Sequence, residues 1–197
     1  MSAAREGLRI ARAALLLAAA LLADPAARAA WDIGALMALL RAHPPGRAHF
    51  DETKTVSILD RPLQSSGELV FTPPGRLEKH VTSPGDERVV ADGERLVIER
   101  AGKRQVIALA EHPEVAVLIE SIRGTLAGDR AALERAYRLR LAGDAASWRL
   151  ELTPRDASLE DLVTKVAIEG SQARVERVEI EQADGDRSLM QIRPGTG

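Results

Sequence analysis

Histidines and carboxylates are the residues with which chemistry would have to begin. Imidazoles bind metals or move protons near neutral pH, and the chain has four of them, His43, His49, His80 and His112. No two stand at the i, i+4 spacing that puts a pair of ligands on one helix face, and there is no H-E-x-x-H. His112 precedes Pro113 and reads as a cap or loop residue. The carboxylate pairs Asp51-Glu52 and Glu160-Asp161 are sequence neighbours. In a strand, neighbours point to opposite faces and cannot share a proton. Ser65-Ser66-Gly67 is a turn or strand-start pattern, and no G-x-S-x-G nucleophile elbow occurs. With no cysteine and no phosphate-binding glycine loop, the residues supply no catalytic set, no metal ligands and no cofactor motif. What remains is apolar surface, and the elements that would arrange it.

Those elements begin with a helix. Ile33, Leu36, Met37 and Leu40 recur at spacings of three and four, with Asp32 placed as N-cap. Pro44-Pro45-Gly46 stops the helix. The period then becomes two. Ala48, Phe50, Val56 and Ile58 share one strand face, on which Glu52 and Lys54 sit as polar intruders. Leu69 and Phe71, then Leu77, Lys79 and Val81, continue the alternation. Asp92-Gly93 signals a tight hairpin. Short turns join only antiparallel neighbours, so about six strands form a meander. A helical insertion interrupts it: Pro113 fits a first helical position, and Val115, Leu118, Ile119, Ile122 and Leu126 form a stripe. Gly128-Asp129 starts a shorter helix to Ala136, and Ser158 stands as cap of a single turn. Alternation resumes through Tyr137, Leu139 and Leu141, then Trp148, Leu150 and Leu152. Val175 and Val178 differ in phase, which predicts a β-bulge near Glu176-Arg177.

The pattern gives about 11 strands with one aliphatic face. A sheet of that size curls. The fold class is mainly β with a helical lid (α+β): an unclosed, strongly curved antiparallel β-barrel covered by an N-terminal helix and a helical insertion. The cavity wall would be Phe50, Val56, Leu69, Phe71, Leu77, Leu96, Ile98, Leu150, Leu152 and Ile180, each on the apolar side of its strand. Leu36, Leu40, Leu118 and Ile122 would form the lid. Periodicity leaves open whether that face is a packed core or a ligand cavity.

Residues 1–29 read as an export leader. Arg5, Arg9 and Arg12 are followed by the uncharged run Ala13 to Ala23 and by Ala27-Arg28-Ala29, a small-x-small cleavage site. Residues 30–197 then suit a single domain. Without a cysteine at the cleavage site there is no lipid anchor, so the expected address is the periplasm. The formal net charge is −2, and losing the leader's four arginines and two acids makes the remainder more negative. A nucleic-acid partner is excluded by that balance.

Several segments resemble the LolA family of periplasmic outer-membrane lipoprotein carriers. They are Arg47-Ala48-His49-Phe50, Gly67-Glu68-Leu69-Val70-Phe71 with the proline turn and Leu77 after it, Ser83-Pro84-Gly85-Asp86-Glu87 through Val89-Val90 to Ala91-Asp92-Gly93 and Leu96, and Asp184-Gly185-Asp186-Arg187-Ser188. Pro62 to Gly67 and Leu126-Ala127-Gly128-Asp129 place the resemblance with a divergent LolA-related branch. It implies a monomeric carrier that is not an enzyme and needs no cofactor. Such a carrier shields lipoprotein acyl chains between an inner-membrane exporter as donor and an outer-membrane acceptor. A carrier of another apolar molecule, an acyl or polyene lipid with a dedicated exporter, is the second reading, and a non-carrier periplasmic scaffold the third. The family's lid-holding arginine, which precedes the proline of the turn after the second strand, has no counterpart in Pro73-Pro74. Arg76 lies close to it but in another register.

Overall fold

The computed structural model describes residues 31–195, so the expected leader, residues 1–29, lies outside the described residues. The first helix, α1 (Ile33–Ala42), starts as its sequence demands: the Asp32 carboxylate accepts the Ala35 N–H at 2.8 Å. Its stripe Leu36, Met37 and Leu40 is fully buried. Six strands follow as hairpins: β1 (Arg47–Thr55), β2 (Leu63–Thr72), β3 (Arg76–Ser83), β4 (Glu87–Asp92), β5 (Arg95–Arg100) and β6 (Lys103–Ala108). A 3₁₀ turn (Leu109–Glu111) leads to α2 (Pro113–Leu126) and α3 (Arg130–Ala136), the latter capped by Asp129. Then come β7 (Tyr137–Asp144), β8 (Ser147–Pro154), the single turn α4 (Ala157–Glu160), β9 (Val163–Ser171), β10 (Arg174–Gln182) and β11 (Arg187–Pro194).

All 11 strands form one curled, unclosed antiparallel sheet in the order β6-β5-β4-β3-β2-β1-β11-β10-β9-β8-β7. The first and last strands meet in the middle, and β6 and β7 are the free edges. The helical insertion is therefore the stretch of chain that runs from one edge to the other. Register carries the sequence phase across the whole sheet, because directly paired residues share a face. One row runs Phe71, Leu77, Ala91, Leu96, Ile107 across β2 to β6. Another runs Leu150, Ile168, Val178, Met190, Glu52, Ser65 across β8 to β2. The predicted wall residues that lie in strands all occupy this concave face. The expected bulge is present, between Val175 and Arg177.

Three expectations are corrected. β1 ends at Thr55, so Val56 is not part of a strand wall; it sits half-buried in the turn. Ile58 belongs to the tip of the β1–β2 loop and is 88% exposed. The cap of α4 is Asp156, not Ser158: the Asp156 carboxylate accepts both the N–H and the hydroxyl of Ser158, at 2.9 and 2.7 Å. An aspartate two residues earlier satisfies both donors.

Gly128 needs to be glycine. Its φ is +63°, and a Cβ there would lie 2.1 Å from the Met37 carbonyl oxygen. The α2–α3 turn thereby sits flush on α1, and Arg41 donates to the Gly128 carbonyl at 2.5 Å.

Candidate functional site

The concave face divides into two apolar clusters with a floor between them. In the larger, α1 contributes Leu36, Met37 and Leu40, α2 contributes Val117 and α3 contributes Leu133. They pack on Trp148, Leu150, Leu152, Val166, Ile168 and Val178 of β8 to β10. Most of these side chains are completely covered, so this half is a core. Tyr137 belongs to it; burial pushes its phenol up to about 12, and the hydroxyl donates to the Val117 carbonyl at 2.8 Å.

The smaller cluster is built differently. Only Ala91, Leu96 and Leu109 are buried in it. Leu77, Val89, Ile98 and Ile107 from the sheet, and Val115, Ala116 and Ile119 from α2, are half-buried around them. Between the clusters lie Phe50, Leu69 and Phe71, which belong to neither.

The wall residues therefore separate by role. Leu150 and Leu152 are core, and Ile180 packs against that core half-buried. Leu77, Leu96 and Ile98 lie beneath α2, and Phe50, Leu69 and Phe71 form the floor. The lid residues shift as well. Leu36 and Leu40 are fixed in the core, and Leu118 and Ile122 also face the large cluster. The face of α2 that covers the sparse half carries Val115, Ala116 and Ile119 instead. A helical stripe broad enough to face both halves cannot be apportioned between them from spacing alone.

The far end of α2 is latched. Arg123 donates from Nε to the Gly75 carbonyl at 2.5 Å, in the turn between β2 and β3, and pairs with Glu120 at 2.7 Å. An arginine does tie α2 to this turn, but it comes from the helix itself and finds a backbone carbonyl. Arg76 points elsewhere, pairing with Glu78 and Asp92 at 3.1 and 2.7 Å. Replacing Arg123 by methionine should remove a charge-assisted hydrogen bond of about 1.5–3 kcal/mol. Faster amide exchange across Thr125 and Leu126 is the expected result.

The floor also carries charge. Glu52 sits on the concave face, where its carboxylate accepts the Lys79 ammonium, the Ser65 hydroxyl at 3.1 Å and the Ser188 hydroxyl at 2.6 Å. The Lys79 Nζ lies 4.9 Å from the Phe50 ring centroid. Burial alone would raise the Glu52 pKa. Lys79, by charge and hydrogen bond, and the two serines together hold it below the ordinary 4.5. A depressed carboxylate pKa stabilises the fold above the unfolded value, and that contribution is lost as pH falls through the folded value. Glu52→Gln should therefore flatten the acid limb of the stability curve below about pH 4.5, measured by denaturant melts at successive pH.

The convex face carries cross-strand ion pairs such as Arg149 with Glu169 and Lys165 with Glu181, and Arg149 also pairs along its own strand with Glu151. Two surface grooves open away from the concave floor. One, about 420 Å³, lies beside the β7–β8 hairpin at Gly143, Trp148 and Gly170. The other, about 390 Å³, lies on the convex side of β3 to β6 between Val90, Val97 and four arginines. In this structure the floor is covered, with α2 lying over its sparse half. Among the described residues no three His, Cys, Asp or Glu side chains gather into a metal site. No described helix is long and apolar enough to cross a membrane.

No curated protein matches the chain significantly. Among solved structures, a LolA superfamily protein from Nitrosomonas europaea is 13% identical with a TM-score of 0.45, covering 84% of this chain and 93% of that one. The lipoprotein LppX of Mycobacterium tuberculosis is 9% identical with a TM-score of 0.40, over 80% and 93%. The Pseudomonas aeruginosa MucA/MucB complex gives 15% identity and a TM-score of 0.38, over 83% of this chain and 56% of that one. The family described as outer membrane lipoprotein carrier protein LolA-like matches residues 25–192. With nearly the whole described chain inside that match, the protein belongs to the LolA-like family.

Proposed function

We propose that the protein is a soluble periplasmic carrier that shields acyl chains while they pass between membranes. The observation that carries this reading is the uneven covering of one apolar face. Half of the face is sealed by α1, α2 and α3; the other half lies under α2 and Leu109 of the 3₁₀ turn, through largely half-buried contacts and one arginine latch. A packed scaffold would have no use for the difference. Each acyl CH₂ left in water costs roughly 0.8 kcal/mol, so a lipid needs an apolar cover to cross an aqueous space. Swinging α2 off Leu77, Val89, Ile98 and Ile107 would expose an aliphatic surface to receive it. The wall, on this reading, is Phe50, Leu69, Phe71, Leu77, Leu96 and Ile98, with Val115 and Ile119 as the moving cover.

The family is described as outer membrane lipoprotein carrier protein LolA-like; on our reading the cargo is lipoprotein acyl chains, taken from an inner-membrane exporter and passed to an outer-membrane acceptor. The protein would act as a monomer, cleaved near Ala29-Ala30 and free of a lipid anchor. A second reading, a carrier for another acyl or polyene lipid, is favoured by the Glu52–Lys79 pair on the floor, since an acyl chain alone has no use for charge.

Mass spectrometry of lipid co-purifying with protein from periplasmic extract, paired with titration of a fluorescent fatty acid, tests the proposal. Bound lipid and saturable uptake are expected. Lipid-free protein that takes up no probe would leave a scaffold.

A further inference from the structure

The floor between the two clusters, in which Phe50 and Phe71 are themselves buried, has polarity along its length. Toward the β1–β2 loop the concave face carries Glu52, Ser65 and Ser188, and register sets Lys54 there too, paired with Ser188 of β11 and Leu63 of β2. Toward the β2–β3 turn the face carries Phe71 of β2 and Leu77 of β3, paired with one another. Phe50 and Leu69 lie between. This floor is thus polar and charged at one end and apolar at the other.

The charges at the polar end do not cancel. Glu52 is satisfied by Lys79, Ser65 and Ser188. Lys54, half-buried, has no carboxylate partner among the described residues. Two ammonium groups therefore share the floor with one carboxylate. Lys79 keeps about a quarter of its side chain exposed, against 16% for Glu52. An arriving anion would meet the ammonium groups of Lys54 and Lys79, while the Ser65 and Ser188 hydroxyls stay committed to Glu52. Ammonium stems also lie comfortably on apolar surface with their heads at its polar end.

Resting on the carrier reading, we propose that the concave floor binds an amphiphile with a single anionic head, in one direction. The head, a carboxylate or a phosphate, docks at Lys54 and Lys79 beside Ser65 and Ser188. The tail runs over Phe50 and Leu69 to Phe71 and Leu77, beneath α2. This makes Lys54 and Lys79 specificity-determining residues, and it sets the order of release: the tail is freed by α2, the head last.

Three fluorescent probes with one tail test this: a pyrene-labelled fatty acid, its methyl ester, and the matching monoalkyl phosphate. The unmodified protein should bind the acid or the phosphate about tenfold more tightly than the ester, a difference of about 1.4 kcal/mol. Whichever anion binds more tightly identifies the head. In Lys54→Gln, and again in Lys79→Gln paired with Glu52→Gln to avoid an orphaned carboxylate, the gap between anion and ester should close. Equal affinity for acid, phosphate and ester in the unmodified protein would overturn the head site and leave the carrier intact. So would a gap that survives both variants. Failure of all three probes to bind would overturn both.

Discussion

Aspartate at Val115 and Ile119 together is expected to open the protein without unfolding it. Both side chains lie half-buried on the α2 face that packs against the buried trio Ala91, Leu96 and Leu109. A carboxylate cannot stay against that surface without a partner, so the N-terminal half of α2 should lift. The Arg123 contact with Gly75 keeps the other end in place. An apolar dye should then gain fluorescence severalfold while far-UV circular dichroism is retained. The control is Leu118→Asp. Leu118 faces the large cluster, so the same charge there should lower stability and give dye signal only as the protein unfolds. If the double variant keeps its fold and its dye signal does not rise, the sparse half is an ordinary core and α2 is not a cover.

Leu150 and Leu69 should behave as opposites. Leu150 is fully buried, paired with Leu141 and Ile168 and enclosed by the large cluster. Its truncation to alanine should cost about 2–5 kcal/mol, the transfer term plus a cavity that its neighbours cannot fill. Leu69 lies half-buried on the floor between clusters, so Leu69→Ala should cost nearer 1 kcal/mol, because fewer packed neighbours are lost. Probe affinity should change in the reverse order. Denaturant melts and fatty-acid titrations on the two variants measure both quantities. Equal stability losses with unchanged binding would place Leu69 in the core.

The strand faces were legible because a period of two leaves little choice once one face is apolar. Leu150, Leu96 and Phe71 fall on the same side of an 11-stranded sheet although they come from distant segments. The bulge after Val175 showed itself for the same reason: a phase slip has few other meanings. Glu52 and Lys54 were visible as intruders on an apolar face, but nothing in their spacing named Lys79 as the partner, since that depends on β2 lying between β1 and β3. The division of α2 was hidden by its stripe, which is apolar enough to satisfy either cluster. Arg123 was hidden because its acceptor is a backbone carbonyl, and backbone groups leave no mark in a sequence. The strand end at Thr55 was missed because Val56 and Ile58 continue the alternation perfectly; the turn that follows simply begins earlier than hydrophobicity implies.

The meeting of β1 and β11 at the middle of the sheet has a kinetic consequence. Every other strand pair joins near neighbours in sequence, mostly through tight hairpins, and can form early and locally. The central seam joins residues as far apart as Asp51 and Arg193, which are 142 positions distant. Closing so long a loop must be bought with entropy before its contacts return anything. The chain should therefore assemble as two separate meanders, β1 to β6 and β7 to β11, and zip along the seam in its slow step. Until then each meander shows an unpaired strand at what will become the centre. In a crowded compartment, that interval is when the nascent protein is most open to pairing with the wrong strand.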